Sequence, residues 1–417
     1  VAVNHSPEAI AAHSANNPGV LHLQEDITEV NRILPHIPET DLLWASAECT
    51  NYSIAKGGMS RDADSRSLPE YLPLYVKKSN CTYFICENVV EFMKWGPLVP
   101  KLDLFGEPKL KNGEVTYHPD PNLRGTLYQK WVKDIMALGY TYKPFILNAA
   151  DYGAYTSRVR YFGVFAKHGH PIVPPTQTHA KNPSGTDLDR WKACAEVLKL
   201  DNIGTSIFGR ASNMSLKKQH RKPLSEKTLA RIAYGIKKYV LASLANPDQT
   251  SAQFISKSYS TGGNASSIQE PLHTVRTKDC HALIHAVFNK FTSVTQGESN
   301  PEIEDEKLQF ILRHFSSNKS DHRTDEPMKT LCTVGKDTLI TVEKLNGLIS
   351  NIYMRYLHSS ELGAVTGFPA DYDLGQTEQI RKKHIGNAVP PKVVLALVNG
   401  LYQANHIKGT ALKNSNV

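Results

Sequence analysis

Short apolar runs recur through the first 165 residues, separated by amphipathic stretches. Residues 1–3, 20–23, 41–46, 82–86, 142–148 and 160–166 gather β-branched and aromatic side chains in blocks too short for helices, and so predict strands. Between them, residues 7–17 and 127–139 predict helices, the second with Leu127, Trp131, Ile135 and Leu138 at helical spacing. Strands alternating with helices imply an α/β fold around a parallel sheet. Past residue 166 the rhythm breaks in a stretch rich in Pro, Gly and His, which reads as a domain boundary. Beyond it, Ser225 is placed to cap a helix reaching to residue 240. Leu229, Ile232, Ala233, Ile236 and Val240 form its apolar face, with Lys227, Arg231 and Lys238 opposite. Toward the end, residues 354–369 predict a turn-rich loop, residues 382–407 a proline-started helix, and 408–417 a loose tail.

Sliding the chain by 56 residues lays 253–284 over 309–340 with ten identities. Each copy has an apolar start, a polar loop, a Glu-Pro turn and a Thr-rich β-like end, so a duplicated β-rich unit is expected.

Hydrophobic residues make up 40% and charged residues 21% of the 417, the balance of a globular chain with a core. No apolar run approaches the length that spans a bilayer, and the chain is expected to be cytoplasmic. Its six cysteines include no CxxC pair and no zinc spacing, so neither a disulfide framework nor a metal is expected. The formal charge of +8 suits a polyanionic partner without specifying one. Lys217, Lys218, Arg221, Lys222 and Arg231 read either as a solvated face or as a surface that tracks phosphates.

The candidate chemistry sits on the predicted strands. Cys49 follows the run LLWAS into a polar loop, which puts it at the carboxyl edge of a parallel sheet, where open α/β folds keep their sites. Its local context leaves it as a nucleophile or an inert thiol; Cys81, Cys86 and Cys194 read as core residues. The run FICENV delivers Glu87 and Asn88 to the same edge, and Arg158 and Arg160, two apart, share one face of a third run. A thiol, an acid and two guanidinium groups make a catalytic set.

In order and spacing, SAECTNYS around Cys49, Glu87-Asn88-Val89, Arg158-x-Arg160, RYLHSSELGAVTGFP and IGNAVPP resemble the DNA cytosine-5 methyltransferases, notably phage and restriction-modification members. The resemblance implies a Rossmann-like, S-adenosylmethionine-dependent methyltransferase sheet with a smaller, irregular β-rich target recognition domain. It also implies domains at 1–165 (catalytic), 166–345 (target recognition) and 346–417 (returning to the catalytic part). Cys49 would attack C6 of a flipped cytosine, Glu87 would protonate N3 with Asn88 positioning it, Arg160 would hold the base carbonyl, and Arg158 would support the pocket or a phosphate. Asp26 and Ile27 resemble the adenine-contacting pair, and Asn387 with Ala388 resembles another cofactor-side element. The implied substrate is double-stranded DNA, with a cognate restriction endonuclease as a further partner, and the chain is expected to act as a monomer in a bacterial or phage setting, associated with the nucleoid.

Three features depart from the family pattern. No Gly-rich F-x-G-x-G turn is present; the chain opens VAVNHSPEAI without methionine, and a strand and glycine loop are expected upstream. Glu48 and Thr50 flank Cys49 where proline and glutamine are usual, and Thr156 stands where glutamine is usual. A carboxylate aimed at the sulfur would raise the thiol's pKa, so the Glu48 side chain is expected to turn away. An RNA cytosine-5 methyltransferase and a non-catalytic DNA-binding relative are the competing readings.

Overall fold

The computed structural model describes residues 1–47, 68–111, 113–210, 213–214, 221–240, 249–258, 264–288, 309–313, 322–323, 337–341 and 349–405. The chain divides into two compact units, one of 1–192, 271–278 and 362–417, the other of 193–270 and 279–361.

In the first unit, β1 (Ala2–Val3) and β2 (His22–Leu23) pair in parallel on either side of α1 (Pro7–Asn16). Ser6 caps α1, its hydroxyl accepting the Ala9 amide at 3.4 Å. The central sheet comprises β3 (Leu42–Ala45), β4 (Tyr83–Asn88), β5 (Tyr140–Asn148) and β6 (Val159–Lys167), in the order β3-β4-β6-β5. β3 and β4 are parallel, with Ala45 opposite Cys86. β6 runs antiparallel to both β4 and β5. A wholly parallel sheet was the expectation; the short connection 149–158 leaves no room for a crossover helix, so β5 and β6 must pair as a hairpin.

The sheet is covered on both faces, and strand alternation decides which side chain meets which cover. Phe84, Cys86, Tyr161 and Phe165 pack against Leu72 and Val76 of α2 (Leu72–Ser79) and Trp131 and Ile135 of α3 (Thr126–Met136). Tyr83, Ile85, Phe162 and Val164 face the other way, onto Val393, Leu397 and Leu401 of the helix Pro391–Asn405. Each of these fully buried side chains contributes roughly 1.5–3 kcal/mol of transfer free energy, which fixes the register of β4 against β6. α3 buries Tyr128, Trp131, Val132 and Ile135. Leu138, expected on that face, lies past the end of the helix and is exposed.

In the second unit, β7 (Thr205–Ser206), β8 (Ser251–Lys257), β9 (Ala265–Ser267), β10 (His281–Phe288) and β14 (Ile349–Tyr356) form an antiparallel sheet ordered β7-β14-β10-β8-β9. A three-stranded sheet has β11 (Gln309–Arg313) between β12 (His322–Arg323) and β13 (Asp337–Thr341). α4 (Glu226–Gly235) starts at the Ser225 cap and continues as a π turn over Ile236–Val240. Ile232, Ile236 and Val240 bury against Phe254 and Ile284, with Leu229 partly covered. Gly235 lies directly under the Phe254 ring, an approach that any Cβ would block.

Residues 354–369, expected as a turn-rich loop, are the end of β14 followed by α5 (Ser359–Thr366). The polar cluster that looked like a turn is a helix start, in which the Glu361 carboxylate accepts the His358 amide at 2.9 Å and Arg355 pairs with Glu361 at 2.7 and 2.8 Å. Two helices follow, α6 (Glu378–Asn387) and α7 (Pro391–Asn405), separated at Pro390.

Candidate active site

The carboxyl end of β4 and the amino end of β6 meet because the two strands are antiparallel, with Phe162 opposite Glu87 and Tyr161 opposite Asn88. Arg160 lies two residues before Phe162 on the same face as Glu87, and its Nε is 3.3 Å from the Glu87 carboxylate. Both side chains are largely buried, 13% and 7% exposed, so the pair exchanges few contacts with water. Arg158 is buried too, and its Nη1 donates to the Val275 carbonyl at 3.2 Å.

The end of β3 completes this edge. Ser46 continues the face of Trp44, whose indole donates to the Ser46 hydroxyl at 3.0 Å. Asn88 Nδ2 donates to the Ala47 carbonyl at 3.3 Å, while its Oδ1 accepts the Val89 amide at 2.9 Å. The backbone two residues ahead of Cys49 is therefore tied to the residue next to Glu87. Cys49 itself, with Glu48 and Thr50, lies outside the described residues.

Burial pushes the Glu87 carboxyl above its ordinary range, and it outweighs the opposing pull of Arg160, then Arg158, then the Ser46 hydroxyl. A carboxyl held this way keeps its proton to higher pH than a free one and can deliver it to a substrate nitrogen. Cys86, one residue earlier, faces the opposite core; burial drives its thiol far above the usual range, with Glu87 adding to the rise, and it is inert. Cys81, Cys194 and Cys280 are likewise buried thiols outside any disulfide.

A nucleotide-like cofactor would need an acceptor beside an apolar surface. The parallel pair β1–β2 ends at Val3 and Leu23, and Asp26 and Ile27 come three and four residues after Leu23. One Asp26 oxygen accepts the Thr28 amide at 2.9 Å, and the Tyr75 hydroxyl holds the Ile27 carbonyl at 2.7 Å. The turn is thereby fixed with a second carboxylate oxygen and a half-buried isoleucine, an acceptor and an apolar surface that fit an adenine amino group and ring face. Asn387 ends α6 with its side chain exposed, and the Ala388 amide closes the helix on the His384 carbonyl at 2.9 Å.

Of the basic residues, Arg231 is on α4, half-buried, and Lys222 is exposed just ahead of it. Arg221 donates to the Met214 carbonyl at 3.1 Å. Lys217 and Lys218 lie outside the described residues. Sequence reasoning missed Ser46, whose only signal was a polar residue closing an apolar run. It also missed the segment 271–278, which looked like the turn of a repeat, and the buried Thr156 hydroxyl, which has no partner among the described residues.

Residues 121–403 match the family described as C-5 cytosine-specific DNA methylase, a span that includes Arg158, Arg160, Asn387 and Ala388. No curated protein sequence matches. Among solved structures, the fold is similar to a prophage-encoded E. coli protein described as a DNA modification methyltransferase (TM-score 0.48, 14% identity, 96% of this chain and 91% of that one). It is also similar to a Spodoptera frugiperda DNMT2 variant (TM-score 0.45, 14% identity, 96% and 91% covered). The S. pombe Dnmt2 methyltransferase gives a TM-score of 0.45 at 12% identity, with 96% and 90% covered.

Proposed function

The chain belongs to the C-5 cytosine-specific DNA methylase family, enzymes that use S-adenosylmethionine, and from that premise we propose that it methylates C5 of cytosine in a specific duplex DNA sequence through a covalent Cys49 adduct. The observation that carries the reading is the buried Glu87–Arg160 pair, set at the strand edge that leads to Cys49.

Cytosine in a duplex is out of reach, so the base is extruded into the site. The Cys49 thiolate forms a bond to C6, and the C5=C6 electrons shift toward N3. Protonated Glu87 gives N3 its proton, while Arg160 hydrogen-bonds the base carbonyl and Asn88, tied to the Ala47 carbonyl, helps position Glu87. Asp26 and Ile27 would hold the adenine of S-adenosylmethionine, with Asn387 and Ala388 at another part of it; when bound it would supply an electrophilic methyl group for C5 and leave as the neutral thioether S-adenosylhomocysteine. Solvent then takes the C5 proton, the C5=C6 bond re-forms as the C6–S bond breaks and the sulfur leaves as thiolate, and N3 returns its proton to Glu87.

The long insert between Arg160 and Arg355 suits a reader of a DNA groove and supports a target recognition role for 166–345, with 1–165 and 346–417 as the catalytic part. Strand pairing supports duplication within it. Gln253↔His285, Lys257↔His281 and Phe254↔Ser267 become Gln309↔Thr341, Arg313↔Asp337 and Phe310↔Arg323 on adding 56 to every number. The loops between these strands fall largely outside the described residues. Arg221, Lys222 and Arg231 would follow phosphates, as would Lys217 and Lys218. The reading extends to a monomer acting on nucleoid DNA of a bacterium or phage, its site shared with a cognate endonuclease.

Purified protein with methyl-labelled S-adenosylmethionine tests the substrate directly, offered duplex DNA and transfer RNA in competition. Label in DNA supports the proposal, label in RNA alone replaces it with an RNA methyltransferase, and binding without transfer replaces it with a non-catalytic relative.

A further inference from the structure

The chain leaves its second unit after Glu270, lends residues 271–278 to the first, and returns at Asp279. So short an excursion buries little area of its own, and its partners define it. The Leu272 amide donates to the Tyr155 carbonyl at 2.8 Å, and the Ser157 amide donates to the Leu272 carbonyl at 2.9 Å. Three residues on, the Val275 carbonyl accepts Nη1 of Arg158. Leu272 and Val275 are fully buried. On the segment's other flank lies Gly386 of α6, where a Cβ would run into the Thr277 amide nitrogen and come within 2.5 Å of the Arg276 carbonyl carbon. No side chain larger than glycine's hydrogen fits between α6 and this segment.

We propose that residues 272–277 are a brace, seated on Gly386, whose Val275 carbonyl positions the Arg158 guanidinium beside Glu87. Chain borrowed from the insert is in this way a working part of the catalytic pocket. The inference rests on the proposed role of Glu87 as proton donor. A carbonyl is the acceptor suited to this position, because it orients one edge of the guanidinium without neutralising it, whereas a carboxylate would cancel the charge that Glu87 feels. Among the described residues, the groups that face Glu87 are Arg160 from β6, Arg158 just ahead of it and Ser46 from the end of β3, with Cys86 adjacent along β4. Displacing Arg158 removes a cation that draws its carboxyl down.

The test uses the full chain carrying Gly386→Ala, Arg158→Met or both, with Gly400→Ala as control, since a Cβ at Gly400 meets nothing closer than 3.6 Å. Amide hydrogen exchange at Ser157 and Leu272 reports on the brace without any need for turnover. Single-turnover methyl transfer against pH reports on Glu87. Gly386→Ala is expected to lose protection at both amides, to slow transfer by roughly tenfold or more through misplacement of Arg158, and to move the alkaline limb of the rate profile to higher pH. Arg158→Met should move the limb the same way, and the double variant should add little, since both remove one arrangement. Gly400→Ala should match the parent in every measure. A Gly386→Ala protein that melts earlier yet keeps the parental pH profile, or a fully additive double variant, overturns the brace. Should Gly386→Ala not fold, Arg158→Met decides by exchange: loosened Ser157 and Leu272 amides support the brace, and unchanged ones refute it. If the parent transfers no methyl at all, the functional reading fails while that exchange comparison still decides the brace.

Discussion

Replacing Arg160 by Met keeps much of the side-chain volume in the pocket and removes the cation from Glu87. At 3.3 Å the pair's attraction is about 5 kcal/mol for an effective dielectric near 20. Breaking a buried pair by deleting one partner costs about 3–5 kcal/mol, because the remaining charge is stranded. Arg158 and the Ser46 hydroxyl still face Glu87, so the lower end, about 3 kcal/mol, is expected at alkaline pH. That corresponds to a loss of roughly 6–12 °C in melting temperature for a unit of this size. The pH dependence follows from the raised carboxyl. The folded state keeps its proton after the unfolded chain, near its ordinary value of about 4.3, has released its own, so stability falls as pH climbs from there to the folded value and stays lower beyond it. Without Arg160 the folded value rises further, and the fall extends to higher pH and goes deeper. Melting curves from pH 4.5 to 9 should therefore show a deficit for Arg160→Met that is smallest in acid and grows toward alkaline pH. A deficit constant across that range, or one that is largest in acid, would refute the reasoning.

Arg355→Met should show the opposite pH trend in urea denaturation. Burial alone would raise the Glu361 carboxyl, but the Arg355 hydrogen bonds and the His358 and Lys199 amides together hold it below its ordinary range, so its contribution is full above the unfolded value and vanishes as pH falls through the folded one. The cost of about 3 kcal/mol at pH 7 should shrink in acid. Asp26→Ala should weaken S-adenosylmethionine binding about tenfold by calorimetry, the loss of one hydrogen bond of about 1.4 kcal/mol, with little change in melting temperature; unchanged affinity would remove Asp26 from the cofactor site. Arg231→Ala should reduce the slope of DNA affinity against salt by about 0.9, one phosphate contact, whereas an unaltered slope would make it a solvated face.

The strand edge that joins Glu87 to Arg160 was readable in the sequence wherever local pattern decided the outcome. FICENV and SRVRYFGVF were short apolar runs that could only be strands, and the two-residue spacing of Arg158 and Arg160 put both on the face that Glu87 also occupies. Strand direction was not readable from the runs themselves; it follows from the length of the 149–158 connection, which forces a hairpin. RYLHSSEL looked like a turn because Ser and His favour turns and helix caps alike, and the Arg355–Glu361 pair that decides for a helix is visible only once the strand is placed. The brace was hidden for a different reason. Leu272 and Val275 meet Tyr155, Ser157 and Arg158, more than a hundred residues away, through backbone groups that carry no sequence signature. Ser46 was hidden likewise, since a hydroxyl at the end of an apolar run has many roles and only the β3–β4 register assigns it to Glu87.

The central claim is transfer of methyl to cytosine C5 in DNA through Cys49. Its most direct measurement is base-resolution sequencing of cytosine methylation in a methylation-free bacterial host that expresses either this chain or its Cys49→Ala variant. Methylated cytosines are expected in one short sequence context with the parent chain and none with the variant. Soluble parent protein that leaves the genome unmethylated, or methylation that survives Cys49→Ala, would contradict that claim.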